Sequence, residues 1–243
     1  MNKLDKILSA VFPNVCCGCD SLIYGDEEIC PDCRDIRVHF RNSPEYCKSC
    51  GQSKTGCVCH GSNFFDKSAF AFYYREPTKE PIWKFKFRGK LFYGKLFARQ
   101  MLQVANESRI TKDAAYIVPV PMHPFKKMKR GYNQTEVLAK SFSRMSGIPY
   151  LKALKMLNIT STQHKLGPLY RIGNVAGNFE VRRKYAEKID GARIILVDDI
   201  MTTHATLNEA AKTLLIFGAD NVDVVSIAAA KRKKPEAQSL KKE

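Results

Sequence analysis

All nine cysteines of this chain lie between Cys16 and Cys59, and residues 60–243 contain none. Eight of them form close pairs: Cys16-x-x-Cys19, Cys30-x-x-Cys33, Cys47-x-x-Cys50 and Cys57-x-Cys59. A short turn of this kind brings two thiolates onto one ion, and two turns complete a tetrahedral Zn²⁺ site. The opening "MNKLDKILSAVFPNVCCGCD" does not read as a signal peptide, because Asp5 interrupts a short apolar stretch. In a chain without an export signal, clustered cysteines point to metal over disulfides. Four pairs supply eight ligands, enough for two Zn²⁺. Taken in order they group as Cys16, Cys19, Cys30, Cys33 and as Cys47, Cys50, Cys57, Cys59. An interleaved grouping, a single ion, or His60 as a substitute ligand in the second set also satisfy the spacing. Cys17 is left over. Cys₄ sites leave no open coordination position, so the expected role is structural.

The rest of the chain has a different character. Residues 1–60 carry 7 Lys+Arg against 8 Asp+Glu, whereas residues 61–230 carry 27 against 14, within a chain of formal net charge +16. The cysteine segment is therefore not the basic surface, and its zinc pairs do not by themselves imply phosphate contacts. The stretches 68–74, 115–121, 193–199 and 222–230 read as strands, with prolines closing the second. Residues 77–107, interrupted or bent near Gly89, 133–145 and 206–217 read as helices. The apolar run of "RIILVDD" is the pattern of a strand covered on both faces. Strands alternating with helices give an α/β domain with a mostly parallel sheet. The expected organisation is a zinc-binding Cys-rich, ribbon-like domain over 1–62, the α/β domain over 63–230, and a basic disordered tail over 231–243. No apolar run reaches the ~18 residues of a membrane span. Leu4, Ile7, Leu8 and Val11 recur at helical spacing, so a short amphipathic helix is expected to dock on the protein itself, a partner, or the inner face of the cytoplasmic membrane. The expected location is the cytoplasm.

The chemistry concentrates in "ILVDDIMTTHAT" (195–206). Paired acids at the carboxyl end of a parallel strand lie where open α/β sheets bind ligands. The following helix N-terminus presents free N–H groups and partial positive charge, a cradle for phosphate. Asp198 and Asp199 suit the diol of a sugar or a hydrated Mg²⁺, and Thr202, Thr203 and Thr206 add hydroxyl donors. A second feature is "KEPIWKFKFRGKLFYGKLFARQ" (79–100), which interleaves seven basic residues with Trp83, Phe85, Phe87, Phe92, Tyr93 and Phe97. Aromatic platforms among cations bind single-stranded nucleic acid by stacking. Lys84, Lys86, Arg88 and Lys90 are the expected contributors, with the amphipathic core face of a helix pair as the competing reading.

The acid-pair string resembles the ribose-phosphate motif of type I phosphoribosyltransferases. That resemblance implies Asp198 and Asp199 on the ribose hydroxyls of Mg-bound phosphoribosyl pyrophosphate (PRPP), residues Thr202, Thr203, His204, Ala205 and Thr206 around its 5′-phosphate, and Asp199 as the catalytic group if the chain is active. His204 stands where the family has Gly. Histidine tolerates positive φ better than most residues, and a protonated imidazole is a second way for it to serve the phosphate. "VPVPMHPFKKMKRGYNQ" (118–134) takes the place of the pyrophosphate loop, with Arg130 and the cations Lys126, Lys127 and Lys129. "TQHKLGPLYRIGNVAGNFEV" (162–181) takes the place of the mobile loop, with Lys165 and Arg171 as a clamp. The cysteine pairs, "FKFRGK" (85–90), "RGYNQTEVLA" (130–139) and these strings together resemble the ComF competence proteins. That implies handling of single-stranded DNA during natural transformation, beside the competence helicase or inner-membrane DNA channel. A working phosphoribosyltransferase and a zinc-ribbon adaptor for the helicase are the alternatives.

Overall fold

The computed structural model describes residues 14–23, 28–35, 47, 57, 63–157, 178–202 and 204–230. The expected helix at residues 4–12 and the tail 231–243 lie outside them.

The cysteine segment contributes β1 (Asn14–Val15), β2 (Leu22–Ile23) and α1 (Pro31–Asp35), with β1 and β2 paired antiparallel. The α/β part runs β3 (Ser68–Tyr73), α2 (Lys79–Phe87), α3 (Tyr93–Glu107), β4 (Tyr116–Pro119), α4 (Pro124–Arg130), α5 (Gln134–Ser146), β5 (Leu154–Met156) and β6 (Phe179–Val181). It continues through a 3₁₀ turn (Arg183–Tyr185) to α6 (Ala186–Ile189), β7 (Arg193–Met201), α7 (Ala205–Ile216) and β8 (Asn221–Ala229). Four strands form one parallel sheet in the order β3-β8-β7-β4. The two most apolar strands, β7 and β8, occupy its centre, where both faces must be covered. Helices α3 and α5 pack on each other and on the sheet, and α7 contacts β7, β8 and β6.

The expected helix over residues 77–107 is two helices, broken at 88–92. Gly89 takes φ +65° at the break, a conformation that costs glycine nothing. Phe85 of α2 and Phe97 of α3 meet edge to face at 5.7 Å, both fully buried. Burying a Phe is worth about 1.5–3 kcal/mol, so this contact sets the angle between the helices. Two elements differ from the expectation. Residues 124–130, expected as a loop, form α4, with Pro124 opening it, the His123 ring accepting from the Phe125 N–H, and Gly131 closing it at φ +78°. Residues 179–181, expected as the end of a mobile loop, form the second strand of the β5–β6 hairpin. The remainder of that loop, 162–177, lies outside the described residues.

One buried core joins the two compositional segments. Cys16, Cys17 and Cys33 belong to the same apolar cluster as β3, α3 and β8. Arg99 of α3 pairs with Glu28 at 3.0 Å, and Lys84 of α2 pairs with Asp20. The cysteine knuckle is seated on the α/β layer.

Candidate functional site

The acid pair sits at a step in the sheet. Strand β4 leaves its neighbour at Pro119, opposite Val197, whereas β8 follows β7 as far as Met201. Asp198 and Asp199 are thus inside β7 on one edge and beyond the sheet on the other. This corrects the expectation that the strand stops at the acids. The carboxyl end of a parallel sheet at such a step is a natural crevice.

Asp199 is buried, and its Oδ2 receives the Gln134 Nε2 donor and the Lys86 ammonium, both at 2.9 Å. Gln134 is the first residue of α5. Its position is held by Asn133, whose side chain accepts from the Thr135 N–H, and by the Thr135 hydroxyl, which donates to the Val120 carbonyl at 2.6 Å. Asp198 is half-buried, and its Oδ1 accepts from the Asp199 N–H at 2.8 Å. Burial, followed by the charge of Asp199, pushes the Asp198 carboxyl up to about 7, with Lys86 opposing them. A carboxyl poised there can accept from a hydroxyl as a carboxylate or donate as an acid near neutral pH.

The turn after β7 supplies the second half. Thr202, Ala205 and Thr206 are exposed at the start of α7, a 12-residue helix. Thr203 lies outside the described residues. His204 takes φ +65°, the left-handed geometry expected at a position that suits glycine. Its ring is buried, 5.7 Å from the Phe65 ring and edge-on to it. A protonated imidazole facing the phosphate was one of the two roles expected for it, whereas the ring lies buried against Phe65 and the backbone shapes the turn. A helix N-terminus, hydroxyls and an adjacent acid pair fit a sugar phosphate.

The thiols form a second constellation. The Sγ atoms of Cys16, Cys19, Cys30 and Cys33 lie within 4.8 Å of one another, with Cys30 at 3.6 Å from Cys16 and 3.8 Å from Cys19. Tetrahedral Zn²⁺ with bonds of ~2.3 Å holds its sulfurs ~3.8 Å apart. The N–H groups of Gly18 and Cys30 both donate to the Cys16 sulfur at 3.3 Å, the support a thiolate ligand needs. This is the in-order grouping, and the cluster can hold a metal ion. Cys17 is buried beside it. Burial, then Cys16 and Glu28, push its thiol upward, so it stays protonated and inert. Of the second set, Cys47 and Cys57 are half-buried, and Cys50, Cys59 and His60 lie outside the described residues.

The phosphoribosyl transferase domain family matches residues 110–243. Competence protein F of Haemophilus influenzae is 30% identical over 208 residues, 82% of this chain and 90% of that protein. The chain belongs to the ComF competence-protein family. It is also similar to Competence protein ComFC of Bacillus subtilis, 28% identical over 84% of this chain and 90% of that protein. The DNA utilization protein YhgH of Escherichia coli is 26% identical over 86% of this chain and 88% of that one.

In this ComF-family chain the basic residues divide into two groups. Lys86, expected on DNA, is tied to Asp199, and Lys84 is tied to Asp20 and Glu80. Arg88 and Lys90 are exposed. Arg88 stacks over Trp83 at 4.9 Å and Arg130 over Phe87 at 4.4 Å, and both aromatics are exposed. Helix α4 buries nothing, and its Lys126, Lys127 and Lys129 stand in solvent with Phe125 and Met128. Lys165 and Arg171 lie outside the described residues. Sequence reasoning overlooked Gln134, although it stands in "RGYNQ" directly after the Asn cap that opens α5. No helix among the described residues is long and apolar enough to cross a membrane.

Proposed function

We propose that this protein handles single-stranded DNA in the cytoplasm during natural transformation, using a phosphoribosyltransferase-like domain whose acid pair and α7 turn take Mg-PRPP or a phosphate of the same kind. The observation that carries this reading is the exposed strip of Trp83 and Phe87 capped by Arg88 and Arg130. Bases stack on such rings while guanidinium groups meet phosphates. The names of the relatives, Competence protein F and DNA utilization protein, support the same reading. On it, Asp198 and Asp199 receive the ribose hydroxyls, and Thr202, Thr203 and the α7 N-terminus receive the phosphate. Lys86 and Gln134 orient Asp199. Zn²⁺ on Cys16, Cys19, Cys30 and Cys33 holds the knuckle against the α/β layer. The competence helicase or the inner-membrane DNA channel is the protein partner.

The test is fluorescence anisotropy of a labelled oligo-dT, at low and moderate salt, with and without Mg-PRPP. Salt-sensitive binding is expected, and PRPP is expected to alter it. Trp83→Ala with Phe87→Ala should weaken binding by about 1–3 kcal/mol per stacked base. Because both rings are exposed, the melting temperature should barely move. An affinity untouched by the double substitution removes the strip from the reading. Phosphoribosyl transfer is the second reading, favoured by the Asp198 carboxyl held near neutrality. Pyrophosphate released from PRPP and abolished by Asp198→Asn would promote it.

A further inference from the structure

A cleft on the β5–β6 arm is lined by Lys155, Glu180, Arg182, Arg183 and Lys184, around a volume of about 390 Å³. None of these side chains belongs to the acid-pair site or the aromatic strip. Lys155 and Glu180 face each other across the hairpin and pair at 3.1 Å, so they neutralise one another. Arg182, Arg183 and Lys184 have no carboxylate partner among the described residues, leaving a local excess of three positive charges. The hairpin holds the run in place: the Arg182 N–H donates to the Ala153 carbonyl at 2.7 Å, and the next three residues wind into the 3₁₀ turn. Among the described residues the Arg182 Nε is buried without a hydrogen-bond partner. A buried guanidinium donor left unmatched costs free energy that an arriving anion would recover.

The chemistry of the lining narrows the ligand. All five side chains are charged, their aliphatic stems supply the only apolar lining, and no aromatic ring is among them to stack a nucleobase. Recognition there must act on phosphate and be indifferent to base sequence. The volume falls within the range of ligand clefts and exceeds what one phosphate needs.

We infer that this cleft is a second phosphate-binding site that takes successive phosphates of a polyanion, with Arg182, Arg183 and Lys184 as its contacts. The phosphates come from a nucleic-acid backbone or from a free polyphosphate. The backbone form rests on the single-strand reading above; the polyphosphate form does not.

The test uses the full chain carrying Arg183→Glu and Lys184→Glu, both exposed and neither needed for packing. The control carries Arg109→Glu and Lys112→Glu, an equal charge change on the exposed turn after α3. Inorganic tripolyphosphate is titrated by calorimetry, and labelled oligo-dT by anisotropy across a salt series. The cleft variant is expected to lose one tripolyphosphate site that the control keeps. Its slope of log affinity against log salt should become shallower by about 1.4, the value for two single-strand phosphates no longer neutralised. Loss of the tripolyphosphate site with an unchanged DNA slope supports the inference and assigns the cleft to free polyphosphate. Tripolyphosphate binding equal in the variant and the control overturns it. A wild-type protein that binds no oligo-dT refutes the single-strand reading, and the calorimetry still decides the cleft.

Discussion

Asp198→Asn is expected to make the protein more stable above neutral pH while disabling the acid pair as a sugar site. The folded chain holds the Asp198 proton up to about 7, against 3.8 for an unburdened aspartate. The folded state therefore binds a proton more tightly than the unfolded one between those values. Stability from this group is complete below pH ~4 and is lost as pH rises through 7, where the carboxylate is forced to ionise beside Asp199. At 1.36 kcal/mol per unit, the shift sets a ceiling of about 4 kcal/mol. Asp198 keeps some contact with water, and solvent relaxation brings the expected gain to about 2 kcal/mol. Asparagine cannot ionise, and its carbonyl still accepts from the Asp199 N–H. In a chain of this size about 2 kcal/mol raises Tm by ~4–8 °C. Thermal unfolding of both proteins from pH 4.5 to 8.5 should show curves that lie closest at the acid end, separate progressively up to about pH 7, and keep a constant gap above it. A Tm difference that stays constant with pH, or a less stable variant at pH 8, would refute the reasoning. The same variant should lose any PRPP-dependent change in DNA binding, trading function for stability as strained sites do.

Lys86→Met should destabilise the protein by about 2 kcal/mol, since it strands the buried Asp199 charge with Gln134 alone. Adding Asp199→Asn should restore most of that loss in chemical denaturation, and a double variant no better than the single one would count against the pairing. Gly18→Ala places a methyl 2.7 Å from both Cβ and Sγ of Cys33. It should reduce bound metal by at least one ion per chain in elemental analysis; full metal content would show that the knuckle tolerates the shift.

The separate elements were legible because each depends on near neighbours. The run Ile194 to Val197 declares a covered strand, and Asn133 before a periodic stretch declares a helix start. Cys16-x-x-Cys19 and Cys30-x-x-Cys33 declare a thiol cluster that can hold an ion. Helix α4 was legible in principle, since Pro124 opens it and Gly131 closes it, but the prolines of β4 and the run of lysines are equally the composition of a loop. The acid pair was also legible as a pair, because two adjacent carboxylates after an apolar run have few structural uses. Its surroundings were not. Helical spacing leaves Lys86 free to face solvent, DNA or the sheet. What turns it onto Asp199, far along the chain, is the seating of α2, set by Phe85 against Phe97. Gln134 reaches Asp199 because Thr135 fastens the start of α5 to the end of β4. The elevated Asp198 carboxyl needs burial and a neighbouring charge together, and burial is not a property of a sequence window. The joining of the cysteine knuckle to the α/β core depends on Asp20 meeting Lys84 and Glu28 meeting Arg99. By itself the sequence determined strand, helix, cysteine knuckle and acid pair, since these follow from residues within a turn or two of each other. Only the tertiary structure decided which charges oppose, which are buried and which remain open to a polyanion, because those energies depend on distances that packing alone creates.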